Sequence, residues 1–327
     1  MHPSHPPVLV ALAAGLALTL TACGGGGGAA ETEAASTTVT VEHTMDTVDI
    51  ECAPQKVVTL GQGATDSVLA LGVTPVGVVQ PWTDDWYEYL PDEVEEATVV
   101  GTEIEPDLEA VAALQPDVIL GSKLRHEALY DQLSQIAPTV FAETIGVSWK
   151  ENVSLYADAL CLEDKGEEIL ADYEAHAAEV AETAEAAGSG DIEASMVRFM
   201  PDQVRIYLTG FPGSVMRDAG LERPEAQRVE DWEDSEQLIE ISEERIPDMD
   251  GDVIFVMVSE KWYSDSGSQE TEENMATWTS TELWQRLSAV ENDAVHEVNE
   301  SHWNLGGGIG AANAMLDDIE EYLVEQG

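Results

Sequence analysis

Beyond Thr38 the chain alternates short β-branched runs with amphipathic segments, the pattern of a parallel α/β sheet. VVTL (57–60), VGVV (76–79), DVIL (117–120), TVFA (139–142), DVIFVMV (252–258) and AVHEV (294–298) read as strands. Between them, DSVLALG (66–72), LEAVAAL (108–114) and ALYDQLSQI (128–136) carry apolar residues three and four apart, which predicts helices. The alternation then stops. From Trp149 to about Ala187 there is no proline and no strand-like run, while Val153, Tyr156, Leu160, Ile169 and Tyr173 punctuate an Ala- and Glu-rich stretch. This predicts one long helix over 150–187, which at ~1.5 Å per residue would exceed ~50 Å and act as a rigid connector.

The two sides of the connector resemble each other. Ser67-Val68-Leu69 leading to Gly72-Val73 and Pro75 is echoed by Ser214-Val215-Met216 leading to Gly220-Leu221 and Pro224. Asp117-Val118-Ile119-Leu120 is echoed by Asp252-Val253-Ile254-Phe255, and LSQIAPTVF by LSAVENDAVHEV. Three blocks recurring in one order predict two Rossmann-like α/β lobes with mostly parallel sheets, 39–149 and 188–327, with a ligand cleft between them. Ligands of open α/β sheets sit beyond the carboxyl ends of the strands. The segments that matter are then GQGATD after Leu60, QPWTDDWYEY after Val79, GSKLRHE after Leu120, SEKWYSDSG after Val258 and SHWNLGGG after Val298.

Charge narrows the function classes. The 327 residues hold 13 Lys and Arg against 65 Asp and Glu, a formal net charge of −52. Such a surface repels nucleic acid and anionic lipid, and suits a saline or alkaline exterior where salt screens self-repulsion. Residues 8–22, VLVALAAGLALTLTA, are apolar but too short to span a hydrocarbon core needing about 20 residues. They fit the h-region of a secretory signal (1–22), although the preceding segment carries His2 and His5 rather than Lys or Arg. The run ends in LTAC, which resembles the lipobox of bacterial lipoproteins and makes Cys23 the lipidation candidate. Residues 23–38, rich in glycine and small polar residues, read as a flexible tether. The remaining cysteines, Cys52 and Cys161, are candidates for a bridge in an oxidising exterior or for two separately buried thiols.

Several blocks together are similar to the iron-siderophore substrate-binding lipoproteins of bacterial ABC importers: the lipobox, VVTLGQGATDSVLALGVTPVGV, VGTEIEPDLEAVAALQPDVILGSKLRHEALYDQLSQIAPTV, SWKENVSLYADAL, SMVRFMPDQVRIY and HWNLGGGIGAANAMLDDIEEYL. The resemblance covers nearly all of the mature chain. It implies two α/β lobes bridged by one long helix that move little on ligand binding, capture of a ferric siderophore without catalysis, and delivery to a membrane permease by a protein anchored to the outer face of the cell membrane. GSKLRHE is similar to the block in relatives that bind hydroxamate or citrate-hydroxamate siderophores. Some hydroxamate binders carry Arg between the Val-Gly and the next Pro, where this chain has Thr102-Glu103. Permease docking in the family uses one acidic residue per lobe, and the matching positions are Glu109 and Glu244. The chain is expected to act as a monomer without a cofactor, because its iron arrives already chelated.

A ferric siderophore presents oxygen-rich, often anionic groups, so the protein has to supply donors and flat apolar surfaces. Arg125, Arg198 and Arg205 lead the candidates, with Lys123 as a flexible point charge and Tyr207 beside the turn MPDQV, which Arg198 and Arg205 flank. Trp82, Trp86, Tyr87, Trp262, Tyr263 and Trp303 follow strands and are candidate cleft walls. Trp232, Trp278 and Trp284 read as core. His126 reads as the start of a helix rather than as a ligand contact. GGGIGAANAML (306–316) lacks both the full GxGxxG pattern and a P-loop Lys, and reads as small residues that let helices approach.

Other classes fit less well. An exported hydrolase would favour a GxSxG elbow, which Gly210-Phe211-Pro212-Gly213-Ser214 misses, and HExxH is absent. The seven histidines are scattered, against a zinc binder. A cleft with Trp and Arg would also suit cobalamin or haem.

Overall fold

Continuous apolar runs buried on both faces are what a parallel sheet covered by helices requires, and VILGS at 118–122 is buried at every position. The computed structural model describes residues 37–83, 85–186, 192–232, 235–258 and 267–326, all within one compact unit. The signal segment, Cys23, Trp262 and Tyr263 lie outside the described residues. The strands are β1 (Thr38–Glu42), β2 (Thr47–Glu51), β3 (Val57–Thr59), β4 (Gly77–Val78), β5 (Thr98–Val99), β6 (Val118–Ser122), β7 (Thr139–Ala142), β8 (Ala194–Phe199), β9 (Val204–Tyr207), β10 (Leu238–Ile241), β11 (Val253–Val258) and β12 (Val295–Val298). The α-helices are α1 (Gln62–Ala70), α2 (Leu108–Leu114), α3 (Lys123–His126), α4 (Tyr130–Leu133), α5 (Trp149–Leu160), α6 (Glu163–Ala186), α7 (Gly210–Asp218), α8 (Gly267–Thr279), α9 (Ser288–Glu291) and α10 (Ile309–Gln326).

Among the described residues, β1 and β2 form an antiparallel hairpin and the other strands form two five-stranded sheets. The first runs β5-β4-β3-β6-β7 and is parallel throughout. The second runs β10-β9-β8-β11-β12, with β8, β11 and β12 parallel and β9 antiparallel to both its neighbours. Both sheets place the repeated blocks alike: β6 and β11 lie inside the sheet, and β7 and β12 lie at its edge. The second lobe replaces the β3–β4 crossover with the β8–β9 hairpin, which sets Arg198 directly opposite Arg205.

Alternating residues of each strand feed opposite faces. Val118 and Leu120 pack with Val68 and Leu71 on one side of the first sheet, and Ile119 and Phe141 pack with Val111 and Leu133 on the other. The second sheet is sandwiched in the same way.

The connector expected as one unbroken helix over 150–187 is two helices. Cys161 adopts the left-handed conformation (φ +55°), and its N–H and that of Leu162 turn back to carbonyls of α5, which closes that helix. Cys161 is disulfide-bonded to Cys52, just after β2. The long element that remains is α6, with 24 residues and a length of about 36 Å. Both helices still bridge the lobes: Trp149 and Val153 at the start of α5 join the second-lobe core, while Tyr156 and Leu160 at its end join the first. Helix α10 returns from the second lobe and packs on α6, α7 and α1.

Candidate functional site

Where strand ends of the two lobes face each other lies a cavity of about 360 Å³, of the size small-ligand sites have. The first lobe contributes the start of α1, Trp82, Glu103, Gly121, Ser122 and Arg125, and the second contributes Arg198, Arg205, Tyr207, Gln237 and residues 304–307.

Helix α3 follows β6 without a break and carries Arg125 to the cleft. Arg125 Nε donates to Glu103 Oε1 at 3.2 Å, and its two terminal nitrogens have no partner among the described residues. Glu103 is buried and also accepts from the Gln62 backbone N–H at 3.3 Å and from the Trp82 side chain. Burial pushes its pKa up, and Arg125 opposes that shift. His126 is buried, and desolvation holds it neutral. Ser122 N–H donates to its Nδ1 (3.4 Å), so Nε2 carries the proton and donates to Glu103 O at 2.8 Å. His126 thus pins the loop that presents Glu103.

Across the cleft, Arg198 is buried, forms an ion pair with Glu300 and donates to Tyr207 Oη at 3.3 Å. Arg205, more open, is held by Gln203 Oε1 (3.1 Å) and Glu240 Oε1 (3.2 Å). The expected positive pocket is therefore an alternation of three arginines with three carboxylates. Glu103 and Glu300 were not foreseen: with 65 acids in the chain, nothing in their spacing marked them.

The remaining candidates separate. Trp82 and Tyr207 line the cavity. Tyr87 is buried behind Trp82, whose backbone N–H donates to its Oη at 3.2 Å, and it stacks on Tyr89. Trp86 is half-buried away from the lining. Lys123 is turned to Glu143 at 3.0 Å and does not reach the cavity, because it starts α3 two residues before Arg125. Trp303 is fully buried, its ring tilted against Phe255 with centroids 4.7 Å apart and its Nε1 donating to Asp318 at 2.7 Å, so it is core and not a cleft wall. Of the tryptophans read as core, Trp278 and Trp284 are buried, but Trp232 is half-buried beside a second cavity. Glu109 and Glu244 are exposed in the first turns of α2 and of the 3₁₀ helix Glu243–Met249. Ser214 is occupied, accepting from Trp149 Nε1 (3.0 Å) and donating to Phe211 O (2.7 Å), which is no arrangement for a nucleophile.

The cavity floor explains the glycines. A Cβ on Gly63 would lie 2.6 Å from Gly307 O, and one on Gly308 would lie 2.6 Å from the Asp66 carboxyl carbon. Asp66, buried in α1, accepts from the Gly310 and Ala311 N–H groups at 2.8 and 2.9 Å and so caps the start of α10 across the lobe boundary.

Comparison with known proteins agrees with this architecture. The family described as "Periplasmic binding protein" matches residues 57–301. The chain is 42% identical over 293 residues, 88% of each chain, to the probable siderophore-binding lipoprotein YfiY of Bacillus subtilis. It is 36% identical over 270 residues to the achromobactin-binding periplasmic protein of Dickeya dadantii, covering 81% of this chain and 85% of that one. The crystal structure of Staphylococcus aureus SirA complexed with staphyloferrin B superposes with a TM-score of 0.82 at 36% identity, over 88% of this chain and 99% of that one.

Proposed function

Because the chain belongs to the periplasmic binding protein family, we propose that it is the extracytoplasmic receptor of an ABC importer, which captures a ferric siderophore in the interlobe cleft and passes it to the membrane permease. The observation that carries this reading is Arg125: held by Glu103 through Nε, it keeps two terminal nitrogens for the oxygens of a chelate, in a cavity also walled by Arg198, Arg205, Trp82 and Tyr207. The relatives named for siderophore, achromobactin and staphyloferrin B binding support it. Iron enters as chelated cargo, and the protein's part is binding, not bond-making. In the narrower form of the proposal the ligand is of the hydroxamate or citrate-hydroxamate type, Cys23 carries the lipid anchor, Glu109 and Glu244 meet the permease, and the receptor works as a monomer.

Tryptophan fluorescence titration with ferric siderophores, cobalamin and haem tests the reading. Ferric siderophore is expected to quench at micromolar concentration, and Arg125→Ala to weaken that binding by about 1.5–3 kcal/mol. Quenching by cobalamin or haem alone would overturn the assignment.

A further inference from the structure

The second lobe holds another cavity, of about 340 Å³, that shares no lining residue with the cleft. Its wall includes Arg217, Arg223, Arg228 and Trp232, so three of the chain's 13 basic residues meet at one place, against a single lining acid, Glu222.

Arg223 is 7% exposed, and its hydrogen bonds go to neutral acceptors: Ala194 O at 2.6 Å, Tyr207 O, and Gln227 Oε1 at 2.7 Å. Its Nε is buried and has no partner among the described residues. Desolvation lowers its pKa only to about 10, which leaves it charged at neutral pH. A buried guanidinium lacking a carboxylate is an arrangement proteins otherwise avoid. Arg217 lies 4.5 Å from the Trp232 ring centroid and likewise has no carboxylate partner among the described residues. Trp232 Nε1 is a second buried donor without a partner. Arg228 completes the wall, with Nε donating to Arg223 O (2.9 Å) and Nη2 paired to Glu193 (2.8 Å).

We propose that this cavity is a second ligand site, which binds a compact oxoanion such as phosphate or sulfate. Guanidinium and indole N–H groups are donors only, so the matching ligand is rich in acceptors and negatively charged. With about 30 Å³ per water, the volume holds a tetrahedral oxoanion and several waters. The anion supplies the counter-charge that Arg223 lacks and accepts from the exposed guanidinium of Arg217, which lines the cavity.

The test is calorimetric titration of the purified full chain with sodium sulfate and sodium phosphate at ionic strength fixed by sodium chloride, alongside thermal unfolding in the same solutions. Saturable binding and a thermal midpoint that rises with oxoanion concentration are expected. Arg217→Ala with Arg228→Ala, both exposed and absent from the cleft lining, should lower oxoanion affinity at least tenfold and leave ferric siderophore titration unchanged. No saturable binding beyond the chloride control, or equal binding by the double variant, would overturn the proposal.

Discussion

Arg198 and Glu300 face each other with side chains 4% and 5% exposed. Removing one partner of such a pair strands a buried charge, at a cost of about 3–5 kcal/mol. Arg198→Met should therefore lower stability by that amount in thermal unfolding, and adding Glu300→Leu should restore most of it; a double variant as unstable as the single would place the loss in packing. Asp66 makes a prediction of the opposite pH sense from an ordinary paired carboxylate. Burial pushes its pKa up from 3.8 to about 6, so the folded state holds the proton that the unfolded state releases. Its contribution is fully present below about pH 4 and is lost as pH rises through about 6. Measured against Asp66→Asn, the wild-type thermal midpoint should gain as pH falls from 6.5 to 4, by at most about 3 kcal/mol in stability. At this scale the sequence revealed cations and hid anions. Arg125, Arg198 and Arg205 stood out because bases are rare, whereas Glu103, Glu300 and Asp66 were three among 65 acids.

Elements were legible where burial imposed a pattern. The runs at 57–60, 117–120, 139–142 and 252–258 were readable as β3, β6, β7 and β11 because the inner strands of a covered sheet are apolar on both faces. The two-residue β5, exposed at both positions, gave no such run, and β10 is only partly buried. The break between α5 and α6 had no glycine or proline to announce it. It rests on a cysteine in the left-handed conformation, and the disulfide holds that turn to the first lobe. The bridge closes a loop of 109 residues, so reduction should cost about 2–5 kcal/mol. Unfolding with and without reductant measures this, and the Cys52→Ser/Cys161→Ser variant should be indifferent to the reductant.

For the whole molecule, the internal repeat was the strongest sequence signal, and both sheets reproduce it in strand order. What the repeat could not show was α10 crossing back onto α1, because the echoed blocks stop at Val298, before α10 begins. The net charge of −52 also acts at this scale. Raising salt from 0.01 to 1 M shortens the screening length from about 30 to about 3 Å, so the thermal midpoint should climb steadily in sodium chloride; a flat or falling series would show that self-repulsion does not limit the fold. The cap that Asp66 places on α10 joins residues 244 positions apart in the chain. At about 5–20 residues per second of synthesis, α1 waits on the order of 10 to 50 seconds for the backbone it caps. A newly made chain thus acquires its first sheet well before it has a cleft floor, and ligand binding becomes available only once the last helix has arrived.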